Sequence, residues 1–213
     1  MPKRFGTFLA WHMETARRLL SLTPPWVLLV PAVGALVFYG LDRFPAVSPY
    51  LDKDSAEIFS PIVLGVGVVL AGWLAATRRH LYDKWQLLFA LSLFMRELHF
   101  QGTNTGFYIA LVVLLGWASH ARDRLEPFIS DRRIVATMMA MLWTYAVTKV
   151  LDRGYIDDML PAGRLSRDLF EENLELLGHV MFVTLVVVSY RVLKAGVVAE
   201  RAPASAPLER TPS

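Results

Sequence analysis

The sequence predicts an all-α fold: a polytopic transmembrane helical bundle of about six spans, with the N- and C-termini cytoplasmic. Three observations carry that expectation. Apolar residues make up 54% of the 213-residue chain and charged residues only 19%, against about a quarter charged in an ordinary soluble domain. The apolar residues are gathered into long blocks separated by short charged segments, the pattern that a bilayer imposes. Lys and Arg divide unevenly between alternate connecting segments, as a fixed topology requires.

Residues 1–23 read as an amphipathic, interfacial lead-in. Lys3, Arg4, Glu14, Arg17 and Arg18 interrupt any signal-peptide core. Phe5, Phe8, Leu9, Met13, Leu19 and Leu20 are available to dip into a lipid interface. The membrane domain, 24–195, holds apolar segments at 26–41, 58–77, 85–100, 105–120, 134–151 and 174–193. A crossing needs about 20 apolar residues, so the first, third and fourth are short and must recruit neighbours such as Pro24, Pro25 or Gln101. Gly102-Thr103-Asn104-Thr105-Gly106 is a turn signal, read as a tight hairpin between segments three and four. Gly65, Gly67, Ala71, Gly72, Ala75 and Ala76 give segment two a small-residue surface for close helix approach. Residues 196–213 read as a disordered cytoplasmic tail.

Six crossings place the N-terminus, the 78–84 and 120–133 loops and the C-terminus on one side. That side carries 15 of the 22 Lys and Arg but only 7 of the 19 Asp and Glu. The positive-inside rule assigns it to the cytoplasm. The net charge of +3 is therefore a topology signal, and no nucleic-acid partner is expected. The expected location is the inner (cytoplasmic) membrane, and the expected partners are membrane lipid and other membrane-protein subunits. The chain has no cysteine, which excludes disulfides, thiolate metal sites and cysteine nucleophiles.

Ionisable residues inside spans are costly and are functional candidates by default. In the sixth span and its lead-in, Asp168, Glu172, Glu175 and His179 are spaced 4, 3 and 4, which makes one helical stripe. Glu171 flanks it. Segment three ends with Arg96, Glu97 and His99, and segment five with Lys149 and Asp152. The topology brings all three sets to the outer end of their helices.

Several chemistries suit such a cluster. Acids and bases at helix ends pair or cap, and Glu171 and Glu172 lie near a helix N-terminus, where anions are favoured. Glu97, His99, Asp152, Glu175 and His179 are candidate ligands for a divalent metal, Zn²⁺, Fe²⁺ or Mn²⁺. Glu172, Glu175 and His179 are candidates for acid–base catalysis. His99 and His179 on different helices admit haem, and protonatable stripes admit proton relay. The spacing is not the Glu-x-x-His of di-iron bundles. The Glu-Glu-x-x-x-Arg motif of intramembrane glutamate proteases fails at Leu176. The function expected is a small inner-membrane protein with a Glu/His site at the extracytoplasmic end of the bundle, metal-binding or acid–base, acting on a membrane-phase substrate. The alternative is a non-catalytic membrane subunit whose polar cluster is a salt-bridged clamp or a docking surface.

Overall fold

A computed structural model of the chain describes residues 2–78, 80–98, 103–155 and 164–201, and every regular element among them is helical. The helices are α1 (Pro2–Leu22), α2 (Val30–Leu41), α3 (Lys53–Arg78), α4 (Leu81–Glu97), α5 (Thr103–His120), α6 (Arg122–Ile129), α7 (Arg132–Asp152) and α8 (Arg164–Arg201). A 3₁₀ turn, Pro25–Leu29, leads into α2, and another, Ser48–Tyr50, precedes α3.

Breaks fall where local chemistry demands them. The residue before a proline disfavours helical dihedrals, so α1 stops ahead of Pro24-Pro25 and the chain bends by 85° before it continues to Leu41. Asp131 caps α7: its side chain accepts from the Arg133 N–H at 2.8 Å and the Ile134 N–H at 3.4 Å. Gly106 lies inside the first turns of α5 rather than in a loop, and Gly102 lies outside the described residues.

Helix α8 is the axis of the fold. It packs against α7, α3 and α2, while α4 lies on α3 and α5 lies on α4. The central core joins Leu64 and Ala71 of α3, Phe89 and Leu93 of α4, and Phe182, Leu185 and Val186 of α8. Part of the expected small-residue surface does this work. A Cβ at Gly67 would stand 3.0 Å from the Phe182 ring, so the absence of a side chain lets α3 close on α8.

Contacts between residues distant in sequence sort the helix termini into two ends. At one, the His12 ring meets Ser119 Oγ at 3.0 Å, Arg18 donates to Ser130 at 2.8 Å, and Tyr82 stacks on Phe128. At the other, Asn173 donates to the Leu51 carbonyl at 2.7 Å and Lys53 pairs with Glu172 at 3.4 Å. Polarity is turned inward. Asp83, Gln86, Thr144, Thr148, Asn173, Glu175, His179 and Ser189 are buried, while Leu36, Val69, Val112 and Val113 are exposed. Large exposed apolar surface around a partly polar interior is what a lipid surround favours.

Three helical stretches are long and apolar enough to cross a membrane: Lys53–Arg78, Arg132–Asp152 and Arg167–Lys194. A fourth joins them if the bent pair His12–Leu22 and Pro25–Leu41 is one span. All six expected segments contain helix, but α4 has 17 residues, about 25 Å at 1.5 Å per residue, and carries Asp83, Lys84, Arg96 and Glu97. Thr105–His120 is apolar but short. Helix α8 runs on to Arg201, past the expected start of the tail at 196, and residues 202–213 lie outside the described residues.

The α7 cap generates a test. The Arg133 side chain, then the backbone N–H groups of Arg133 and Ile134, hold the Asp131 carboxyl below its ordinary value. A depressed carboxylate stabilises the fold above its unfolded-state pKa and loses that contribution as pH falls through the folded value. Asp131→Ala should lower stability by about 1 kcal/mol at neutral pH. The difference from wild type should fade below the carboxylate range, as read by thermal unfolding in detergent at the two pH values.

Candidate metal and acid–base site

The acidic stripe of α8 descends from solvent into the core. Side-chain exposure falls from 45% at Asp168 to 21% at Glu172, 10% at Glu175 and 0% at His179. Each member meets a different partner: Arg167 for Asp168 at 3.3 Å, Lys53 of α3 for Glu172 at 3.4 Å, Arg96 of α4 for Glu175, and Tyr145 of α7 for His179. Helix α8 can therefore begin ten residues before the apolar segment expected from the sequence, because its charged turns are paired rather than bare.

The deepest part is a three-residue cluster. Glu97, Glu175 and His179 each offer a ligand atom, and these atoms all lie within 4.8 Å of one another. Glu97 comes from the last turn of α4, where its side chain is 9% exposed. Its Oε1 stands 3.6 Å from His179 Nε2, beyond the usual hydrogen-bond range of about 2.7–3.2 Å. His179 Nε2 is buried without a hydrogen-bond partner. The other ring nitrogen, Nδ1, lies 2.7 Å from the Tyr145 hydroxyl. That contact depends on Gly178: a Cβ there would fall 2.7 Å from the Tyr145 ring.

Arg96 closes the cluster. Its guanidinium donates to Glu175 Oε1, lies 3.7 Å from Glu97 Oε1, and sits over the Phe107 ring. Arg96 thus serves two carboxylates, with the His179 imidazole beside them. Buried ions demand compensation, and two carboxylates beside an imidazole are donors that a divalent cation can use.

The expected site residues divide. The structure brings Glu97, Glu175 and His179 together. Glu172 lies one turn outward on Lys53. Asp152 is not part of the cluster: it is half-exposed and paired with Lys149 at 3.2 Å. Helix α7 reaches His179 through Tyr145 instead. His99 lies outside the described residues. Sequence reasoning missed Tyr145 and Lys53. Tyr145 lies seven residues before Asp152, on the same helix face, so its spacing from Asp152 was the available signal. Neither family models, nor curated proteins, nor solved structures yield a match to this chain.

The two ion pairs that α8 makes with α3 and α4 should differ in consequence. Removing one partner of a buried pair costs about 3–5 kcal/mol, because the other charge is stranded, whereas an exposed pair contributes about 0–1 kcal/mol. Glu175→Ala should therefore lower the unfolding temperature markedly and Lys53→Ala only slightly. Arg96→Met with Glu175→Leu and Glu97→Gln, which leaves none of the three charges stranded, should recover most of the loss.

Proposed function

We propose that this chain is a small, multi-pass inner-membrane protein that binds a divalent cation, Zn²⁺, Fe²⁺ or Mn²⁺, through Glu97, Glu175 and His179. The observation that carries the reading is that these three residues each offer a ligand atom within 4.8 Å of the others, while His179 Nε2 is a buried nitrogen without a hydrogen-bond partner. Ligand atoms at about 2.0–2.1 Å from a tetrahedral ion stand about 3.3 Å apart. The Glu97–His179 separation of 3.6 Å needs only a small contraction to meet that. Mixed carboxylate and imidazole donors suit these metals. Tyr145 would fix the ring and the tautomer as an outer partner, and Nε2 would face the ion.

Three protein ligands leave a coordination position for water or substrate, the arrangement that activates water in hydrolytic sites. A site this deep suits a membrane-phase substrate, and Glu172, one turn outward from Glu175 on the same stripe, is the candidate for proton transfer. The reading includes six crossings, both termini in the cytoplasm and the site near the extracytoplasmic face, supported by the uneven division of Lys and Arg. Lipid is the surrounding partner, and other membrane subunits are candidate partners. The second reading, a non-catalytic subunit with a salt-bridged clamp, is favoured by one observation: Arg96 already occupies Glu175.

Elemental analysis separates the two. Detergent-purified protein should carry near-stoichiometric metal, and Glu97→Gln or His179→Ala should abolish it while the protein stays folded. Folded wild-type protein that remains metal-free after incubation with Zn²⁺, Mn²⁺ and Fe²⁺ selects the clamp. For the topology, Ser166→Cys in this cysteine-free chain should react with an impermeant thiol reagent from the extracytoplasmic side. Labelling only after the cytoplasmic side is opened would reverse the orientation.

A further inference from the structure

The opposite end of α4 holds a second buried polar cluster. Tyr82 and Gln86 of α4 meet Ser189 of α8: the Tyr82 hydroxyl lies 3.3 Å from Ser189 Oγ, and Gln86 Nε2 lies 3.3 Å from both oxygens. Asp83 stands between them in sequence and is fully buried. Both of its carboxyl oxygens, and Gln86 Oε1, are buried without a hydrogen-bond partner.

The protons of this cluster can be counted. Ser189 donates its single hydroxyl proton to the Leu185 carbonyl at 2.7 Å, so its oxygen is an acceptor for the other two residues. Tyr82 then donates to Ser189, and the two N–H groups of Gln86 serve Tyr82 and Ser189. Every donor is used. Three buried oxygens are left with none, which is costly for neutral groups and more so for an anion. Asp83 and Gln86 are i, i+3 neighbours on one helix face. One proton on Asp83 supplies the missing donor and removes the buried charge together.

Among the described residues, the charged groups that face Asp83 are Arg78 and His80. Both favour the carboxylate, but neither contacts it. The Arg78 guanidinium lies 5.4 Å from the Tyr190 ring, and its Nη1 is itself buried without a partner. His80 is exposed and lies edge-on to Phe128, so solvent screens it. Desolvation, which acts on the carboxylate directly, outweighs two cations held off it.

We propose that Asp83 is a proton-binding site: it holds a proton in the folded protein and donates it to Gln86 Oε1. The site shares no residue with Glu97, Glu175 and His179, so the metal content of that cluster does not bear on the outcome. Infrared difference spectra of the full-length protein in detergent at neutral pH test it directly. Wild type should show a protonated-carboxyl stretch that Asp83→Asn removes and Gln86→Leu shifts to higher frequency as its hydrogen bond is lost. A carboxamide mimics the neutral acid, so Asp83→Asn should melt no lower than wild type at neutral pH. Its advantage should shrink as pH falls to the carboxylate range, where the unfolded chain also takes up the proton. Absence of a protonated-carboxyl band that responds to either variant would overturn the proposal. It would mean an ionised Asp83 bridged to Arg78 through buried water.

Discussion

Arg96, at the end of α4, is held between Glu175 of α8 and Glu97 of its own helix in a place nearly closed to water. None of the three charges can be there alone, because desolvation of an unpaired ion exceeds what the surrounding packing contributes. The pair therefore acts as a register pin. It fixes the last turn of α4 against α8, and with it the rotation of α4 about its own axis. Given that rotation, Leu93 and Phe89 face Phe182, and Gln86 and Tyr82 face Ser189.

The seam between α4 and α8 is consequently polar at both ends and apolar in the middle. Such a layout suits a bundle surrounded by lipid. Without water outside, apolar surface has little reason to choose the interior, and specificity comes from close packing and internal polar contacts. Gly67 and Gly178 make the close approaches, one for Phe182 and one for Tyr145. Tyr145 in turn orients His179, so a glycine on α8 sets the direction of the imidazole beside it. The pins differ in accessibility. The Lys53–Glu172 pair lies at the margin of the bundle, whereas Arg96, Glu175 and His179 lie within it.

Much of this was legible in the sequence because it rests on periodicity. The 4-3-4 spacing of Asp168, Glu172, Glu175 and His179 set one stripe, and hydropathy with charge placed Glu97 at the same level on another helix. What could not be read was rotation about each helix axis. Asp152 and Tyr145 share a face of α7, and only the packing of α7 on α8 makes Tyr145, rather than Asp152, the residue that reaches His179. Which way Glu97 faces at the last turn of α4 could likewise not be read; it stands 3.6 Å from His179. Lys53 was invisible because hydropathy started segment two five residues later, although α3 carries its first turns out to Glu172. The six-span count reads apolarity alone, while α4 spends part of its 17 residues on Asp83, Lys84, Arg96 and Glu97.

In the proposed function, a divalent cation binds His179 Nε2 beside the Glu97 and Glu175 carboxylates. An X-ray absorption spectrum of the Zn²⁺-loaded, detergent-purified protein tests this most directly. The spectrum should show one imidazole among oxygen donors at about 2.0–2.1 Å, with the imidazole signature lost in His179→Ala. A zinc shell without imidazole, or one unchanged by that substitution, would contradict it.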